Sequence, residues 1–187
     1  MLLLSLVISL SSFLVFRPSA AAFACGKVIV TYDAQKNESQ VQLRPLIIEG
    51  VFQTAPGETR LGENALPNDD HGVALTSLYS YPGRTPSKPQ EIIIVVESES
   101  ASLAYEDDRR LSLNIDGTAL DLGIPERGVA RTNMGLTRED LSVRVSCDQF
   151  LKFVGAKKAK LSLGPRTFAL TQCHMEALRK FAGSIPA

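Results

Sequence analysis

An α+β fold is predicted, mainly antiparallel β-sheet in a sandwich-like arrangement with two short C-terminal helices packed on it. Three observations carry this. Apolar residues recur with a period of two through most of the chain, turn signals separate them at short intervals, and only the last 40 or so residues hold runs of helical period. No long helix lies between candidate strands, so a parallel sheet built from crossover helices is excluded and strand should exceed helix.

The elements follow in order. KVIVTY (27–32) and SQVQL (39–43) flank the polar turn DAQKNE and read as a hairpin. Pro45 cannot donate to a ladder, so LIIEGVF (46–52) is either a bent continuation or a new edge strand. Residues 53–72 are rich in Gly, Pro, Asn and Asp without periodicity and are expected to be a long surface loop. GVALTSLYSY (72–81) precedes PGRTPSKP (82–89), a proline-stiffened connector whose Pro86 and Pro89 sit at PxxP spacing within a loop. In EIIIVVES, Ile92 to Val96 are all apolar and β-branched, which predicts a central strand buried on both faces.

EDDRR (106–110) is a solvated turn, and Asp116-Gly117 between two alternating runs is the pair favoured in tight hairpins. Leu141, Val143 and Val145 alternate along EDLSVRVS (139–146). Ser146 and Gln149 then form a capping box for a helix over 147–155, with Cys147, Phe150, Leu151 and Val154 on one face and Gly155 ending it. AKLSLGPRTFAL (159–170) is a hairpin around Gly164-Pro165. Thr171 caps the last helix, whose inner face carries His174, Met175, Leu178, Phe181 and Ala182. This C-terminal pattern, with YPGRTPSKPQE and LSLNIDGTALDLG ahead of it, resembles uncharacterised exported bacterial proteins over most of residues 75–182. The resemblance implies export and a single domain, and no activity.

Residues 1–24 read as a signal peptide. Leu2 to Phe16 is apolar apart from four serines, too short to span a bilayer, and Ala22-Phe23-Ala24 has the small-x-small form of a cleavage site; no Lys or Arg precedes the apolar run. Residues 25–187 are then one exported domain. The Ala24-Cys25 junction resembles a lipobox, and Phe23 departs from its pattern, so Cys25 is either a lipidation site or a plain secreted N-terminus. The protein is expected to be periplasmic or secreted, reaching a membrane only through a lipid at Cys25.

Arg and Lys number 20 against 20 Asp and Glu, and loss of residues 1–24 removes only Arg17 from these sets. A balance that near neutral argues against a nucleic-acid partner, which requires a basic surplus. The expected partner is an unidentified component of the envelope or the extracellular space.

No catalytic, cofactor or metal residues are assigned. There is no GxSxG elbow, phosphate-cradling glycine loop or CxxC. His71 with Asp69 and Asp70 reads as a polar loop, and Glu106, Asp107, Asp108, Asp116 and Asp121 lack EF-hand spacing. Lys152, Lys157, Lys158 and Lys160 form a solvated edge, and Asn37-Glu38-Ser39 is a sequon in a turn. Cys173 and His174 are adjacent on a helix, so their side chains point about 100° apart and cannot form a dyad. A dyad of Cys147 with His174, or a Cys147–Cys173 disulfide, requires two helix N-termini to meet, which antiparallel packing opposes. The reading is a buried apolar Cys147, a partly buried His174, and Cys173 towards solvent near Lys180. The function expected is a non-catalytic envelope or interaction domain; the alternative is a Cys/His-dependent hydrolase.

Overall fold

The computed structural model describes residues 26–55, 58–61, 71–133 and 135–186. The elements, in order, are β1 (Val28–Asp33), β2 (Glu38–Leu43), β3 (Leu46–Ala55), β4 (Glu58–Leu61), β5 (Gly72–Pro82), β6 (Glu91–Ser100), β7 (Leu111–Ile115), β8 (Thr118–Gly123), β9 (Glu126–Arg127), β10 (Arg131–Asn133), β11 (Leu136–Ser146), α1 (Cys147–Val154), β12 (Ala159–Leu163), β13 (Arg166–Leu170) and α2 (Gln172–Ala182). The fold is α+β with antiparallel sheets, as the period-two pattern predicts.

β6 is the axis of the larger sheet, paired to β5 on one edge and β11 on the other. Each flanking strand is long enough to hold two partners on its outer edge. β2 runs along Leu78–Pro82 of β5 and β3 along Gly72–Leu75. On β11, β10 pairs with residues 136–138 and β9 with Leu141 and Ser142. Pro45 divides β2 from β3, which begins a new strand and then bulges between Ile47 and Glu49. β3 runs on to Ala55 and turns back as β4, so the expected loop over 53–72 is corrected at its start; residues 62–70 lie outside the described residues. Gln53, Thr54, Glu58, Thr59 and Arg60 make this stretch too polar to register as a strand.

The smaller sheet has the order β13–β12–β7–β8. Its hairpins turn where the sequence places them: Asp116 and Gly117 take φ of 50° and 91°, and Gly164 takes φ of 53°. A Cβ on Gly164 would meet the Asp108 carbonyl oxygen at 2.4 Å, so this turn fixes the 101–110 segment as well as its own hairpin.

Inward side chains of both sheets and both helices join one core. Ile92, Ile94 and Val96 of β6 meet Leu141 and Val145 of β11, Leu111, Leu113 and Ile115 of β7, and Leu161 and Leu163 of β12. Ile93 and Val95 are only half-buried, which corrects the expectation of a strand buried on both faces; burial on both faces begins at Val96 and continues through the polar Glu97, Ser98 and Glu99.

Ser146 and Thr171 cap the helices, each with a reciprocal box, to Gln149 and His174. α1 buries Cys147, Phe150, Phe153 and Val154 while Leu151 is exposed, so the expected face is rotated towards Phe153. α2 buries Ala177 beside His174, Met175, Leu178 and Phe181, with Ala182 half-buried. Burying each phenylalanine contributes about 1.5–3 kcal/mol, enough to make these two short helices dependent on the sheet rather than on their own propensity.

Candidate functional site: the polar end of the core

Strand pairing sets Glu49 of β3, Val73 of β5, Ser98 of β6 and Glu139 of β11 side by side across four strands. Directly paired residues share a face, so this row closes one end of the core with carboxylates at both flanks. Glu139, 1% exposed, accepts hydrogen bonds at Oε1 from the backbone N–H groups of Ala104 (2.9 Å) and Tyr105 (3.2 Å). Its Oε2 lies 3.2 Å from Arg127 Nε, and Arg127 Nη2 donates to the Tyr105 carbonyl at 2.7 Å. One carboxylate and one guanidinium thus clamp the 101–110 segment against β11.

At the other flank Arg166, from β13 of the smaller sheet, donates to Glu49 and to His71 Nε2, and its guanidinium lies over the Phe168 ring. His71 Nε2 thus lies against both members of the pair, 3.9 Å from Glu49 Oε1 and beside the Arg166 guanidinium. Tyr105 is buried between the two flanks. Desolvation pushes its phenol up from the ordinary value, and Arg166 opposes that rise.

The opposite face of the same strand ends carries Glu97 beside Asp140 and Glu99 beside Arg138. Arg138 reaches across to Glu97, lies 3.9 Å from Asp140, and stacks on the buried Phe52 at 4.5 Å from the ring centroid. Burial raises the Glu97 carboxyl above the usual glutamate value, with the Arg138 hydrogen bond and charge pulling it back. Close backbone packing makes room for this layer: a Cβ on Gly72 would lie 2.0 Å from the Val51 carbonyl oxygen.

Glu139 faces Arg127, Glu49 faces Arg166 and Glu97 faces Arg138. An arrangement of this kind neutralises charge and orders loops. A general acid or base would instead need a carboxyl open to a reacting group.

None of these residues except His71 was singled out by sequence reasoning. The available signal was parity: Glu139 shares the inward register of Leu141, Val143 and Val145, and Ser98 continues that of Ile92, Ile94 and Val96. A charged residue on the apolar register of a strand is the pattern to look for.

The expected site residues are dispersed. His174 Nδ1 accepts from its own cap, the Thr171 N–H, at 3.2 Å, which leaves Nε2–H to face the Ile47 carbonyl at 3.2 Å. Both ring nitrogens are engaged, Nδ1 in closing the cap of α2 and Nε2 in holding α2 to β3. His174 is 6% exposed, more buried than expected. Cys147 is free and buried, at one wall of an open depression of about 340 Å³ shared with Lys88, Pro89, Gln90, Ser146 and Asp148.

Cys173 is disulfide-bonded and half-buried, which corrects the reading of a solvent-side, unpaired thiol. Because Cys147 is free, the bond is not Cys147–Cys173. Cys25 and its lipid, the signal peptide over 1–24, and Asp69 and Asp70 lie outside the described residues.

Among the described residues no group of three or more His, Cys, Asp or Glu could hold a metal ion. Asp116 instead accepts from the Lys157 and Lys158 backbone N–H groups, which lower its pKa, and Asp121 accepts from Gly123 N–H. Lys152, Lys157, Lys158 and Lys160 are all exposed, as is Asn37. No helix among the described residues is long and apolar enough to cross a membrane. A scan against protein-family models, a search of curated proteins and a search of solved structures each returned no match.

Proposed function

We propose that the chain is an exported, non-catalytic interaction domain of the cell envelope, meeting its partner through the segment from Ile124 to Asn133. The observation that carries this reading is the placement of large apolar side chains there. Val129 is 82% exposed and Ile124 66% exposed, five residues apart, whereas the other exposed large hydrophobes among the described residues, Val30 and Leu151, stand singly on β1 and α1. The segment holds β9 and β10 on the outer edge of β11, and residues 128–133 are all exposed. Exposed apolar residues beside an unpaired strand edge suit a protein partner. The disulfide at Cys173 supports an oxidising compartment, and the near-neutral charge supports a protein ligand over nucleic acid.

A photo-crosslinking residue at position 129, compared with one at the exposed Lys36 on the β1–β2 turn, tests this in intact cells. A discrete adduct at 129, absent at 36 and lost on Ile124→Asp, is expected. Identical patterns at the two positions would refute the reading. A hydrolase built on Cys147 and His174 would instead lose turnover on Cys147→Ala with adduct formation unchanged.

A further inference from the structure

We infer that Cys173 is bonded to Cys25, so that the mature N-terminus is stapled to α2 and Cys25 carries no lipid. The chain has three cysteines, Cys147 is free and Cys173 is disulfide-bonded, which leaves Cys25 as the partner within the chain. The residues on either side agree independently. Gly26 lies on α2: a Cβ added to it would meet the Ala177 Cβ at 2.6 Å, Leu43 at 3.0 Å and Leu46 at 3.2 Å, and its φ is +70°. Ala177 is fully buried and stands one helical turn after Cys173, on the same face.

Residues four apart on a helix are separated by about 6 Å, and adjacent Cα atoms in a chain by about 3.8 Å. Gly26 is thus docked about one helical turn along α2 from Cys173, and a single chain step separates it from residue 25. Gly26 is the residue type this docking requires, since a side chain there would strike Ala177 and the backbone is left-handed. From this anchor Lys27 accepts a hydrogen bond from Arg44 N–H, and β1 begins at Val28.

The chemistry excludes the lipobox reading of the same residue. Beyond its bond to Cβ, the Cys25 sulfur forms one further covalent bond, either a thioether to diacylglycerol or a disulfide. Closing the bridge removes two protons and two electrons from the thiols of Cys25 and Cys173. A disulfide of the oxidising compartment, carried by a thiol oxidoreductase or a small molecule, accepts them and leaves as two thiols. The bridge needs no cleavage at Ala24, and cleavage there would make the stapled cysteine the first residue. This inference is independent of the proposed partner surface, which lies on another strand.

Non-reducing tryptic mass mapping of the full chain recovered from the exporting cell tests it, with free thiols alkylated before digestion. Expected is one species joining the peptide that contains Cys25 to residues 167–179, with alkylation confined to Cys147. Cys147→Ser should leave that species intact. Cys25→Ser should expose one new alkylatable thiol at Cys173 and lower the melting temperature by roughly 10 °C, to the value of the reduced wild type. A diacylglyceryl Cys25 peptide, a Cys173–Cys173 link between two chains, or alkylation of both Cys25 and Cys173 would each overturn it.

Discussion

β5 and β11 both enter at one end of the core and leave at the other, and the two ends are built on opposite principles. At the far end Tyr79, Phe150, Phe153 and Phe181 are each at most 1% exposed, and Phe181 meets Tyr79 and Phe150 edge-on at 5.5 and 5.6 Å between centroids. The Tyr79 hydroxyl, the polar atom of these four side chains, donates to the Ser184 carbonyl at 2.7 Å and so closes the end of α2. At the near end the same strands carry Glu139 and, through Val73, the row to Glu49. The aromatic end gains free energy from area. The polar end gains little net stability, because desolvating charges offsets much of their attraction, and gains instead a fixed path for the 101–110 segment.

The largest expected effect breaks the aromatic end. Phe181→Ala should cost about 3–5 kcal/mol in denaturant melts, a large share of the roughly 5–15 kcal/mol that holds a domain. Next comes Glu139→Ala, which strands two backbone donors and Arg127 and should cost about 3 kcal/mol. Glu139→Gln keeps an acceptor for the two N–H groups and should cost about 1–2 kcal/mol, so the difference between the variants reads the carboxylate's own share.

Ser146→Ala removes the cap of α1 and should cost about 1 kcal/mol. Leu151→Ser, on the exposed side of the same helix, should stay within about 0.5 kcal/mol. Reversal of that last pair would mean that α1 is packed as its sequence periodicity suggested.

A pH series sharpens the contrast without truncating anything. The raised pKa of Glu97 means that the folded chain holds this proton more tightly than the unfolded chain does. Its contribution is therefore fully present below the unfolded value of about 4.3 and is lost as pH rises through the folded value. Glu97→Gln should flatten that part of the stability–pH curve, while Phe181→Ala should shift the whole curve down without changing its shape.

Much of the fold was legible because its signals are local. The Asp116-Gly117 turn, the Ser146 and Thr171 caps, and the alternating strands each depend on neighbours a few residues apart. The polar end was not legible because its partners are distant. Arg166 and Glu49 meet only once two sheets have packed, and the Glu139 hydrogen bonds depend on where residues 104 and 105 are carried. Cys173 shows the same limit. Helix periodicity places it at the margin of α2 and carries no sign of the disulfide it makes. Leu151 and Phe153 exchanged places for a related reason, since an eight-residue helix offers too few positions for its period to choose between adjacent faces.

Amide hydrogen exchange at Ala104 and Tyr105, compared among wild type, Glu139→Ala and Phe181→Ala, tests most directly whether the two ends do different work. In Glu139→Ala these two amides should lose far more protection than the core amides of β6 do. In Phe181→Ala the slowest amides, β6 among them, should all lose protection by the same amount, set by global stability. Uniform loss of protection in Glu139→Ala would contradict the account, because the polar end would then be a contributor to overall stability no different in kind from the aromatic one.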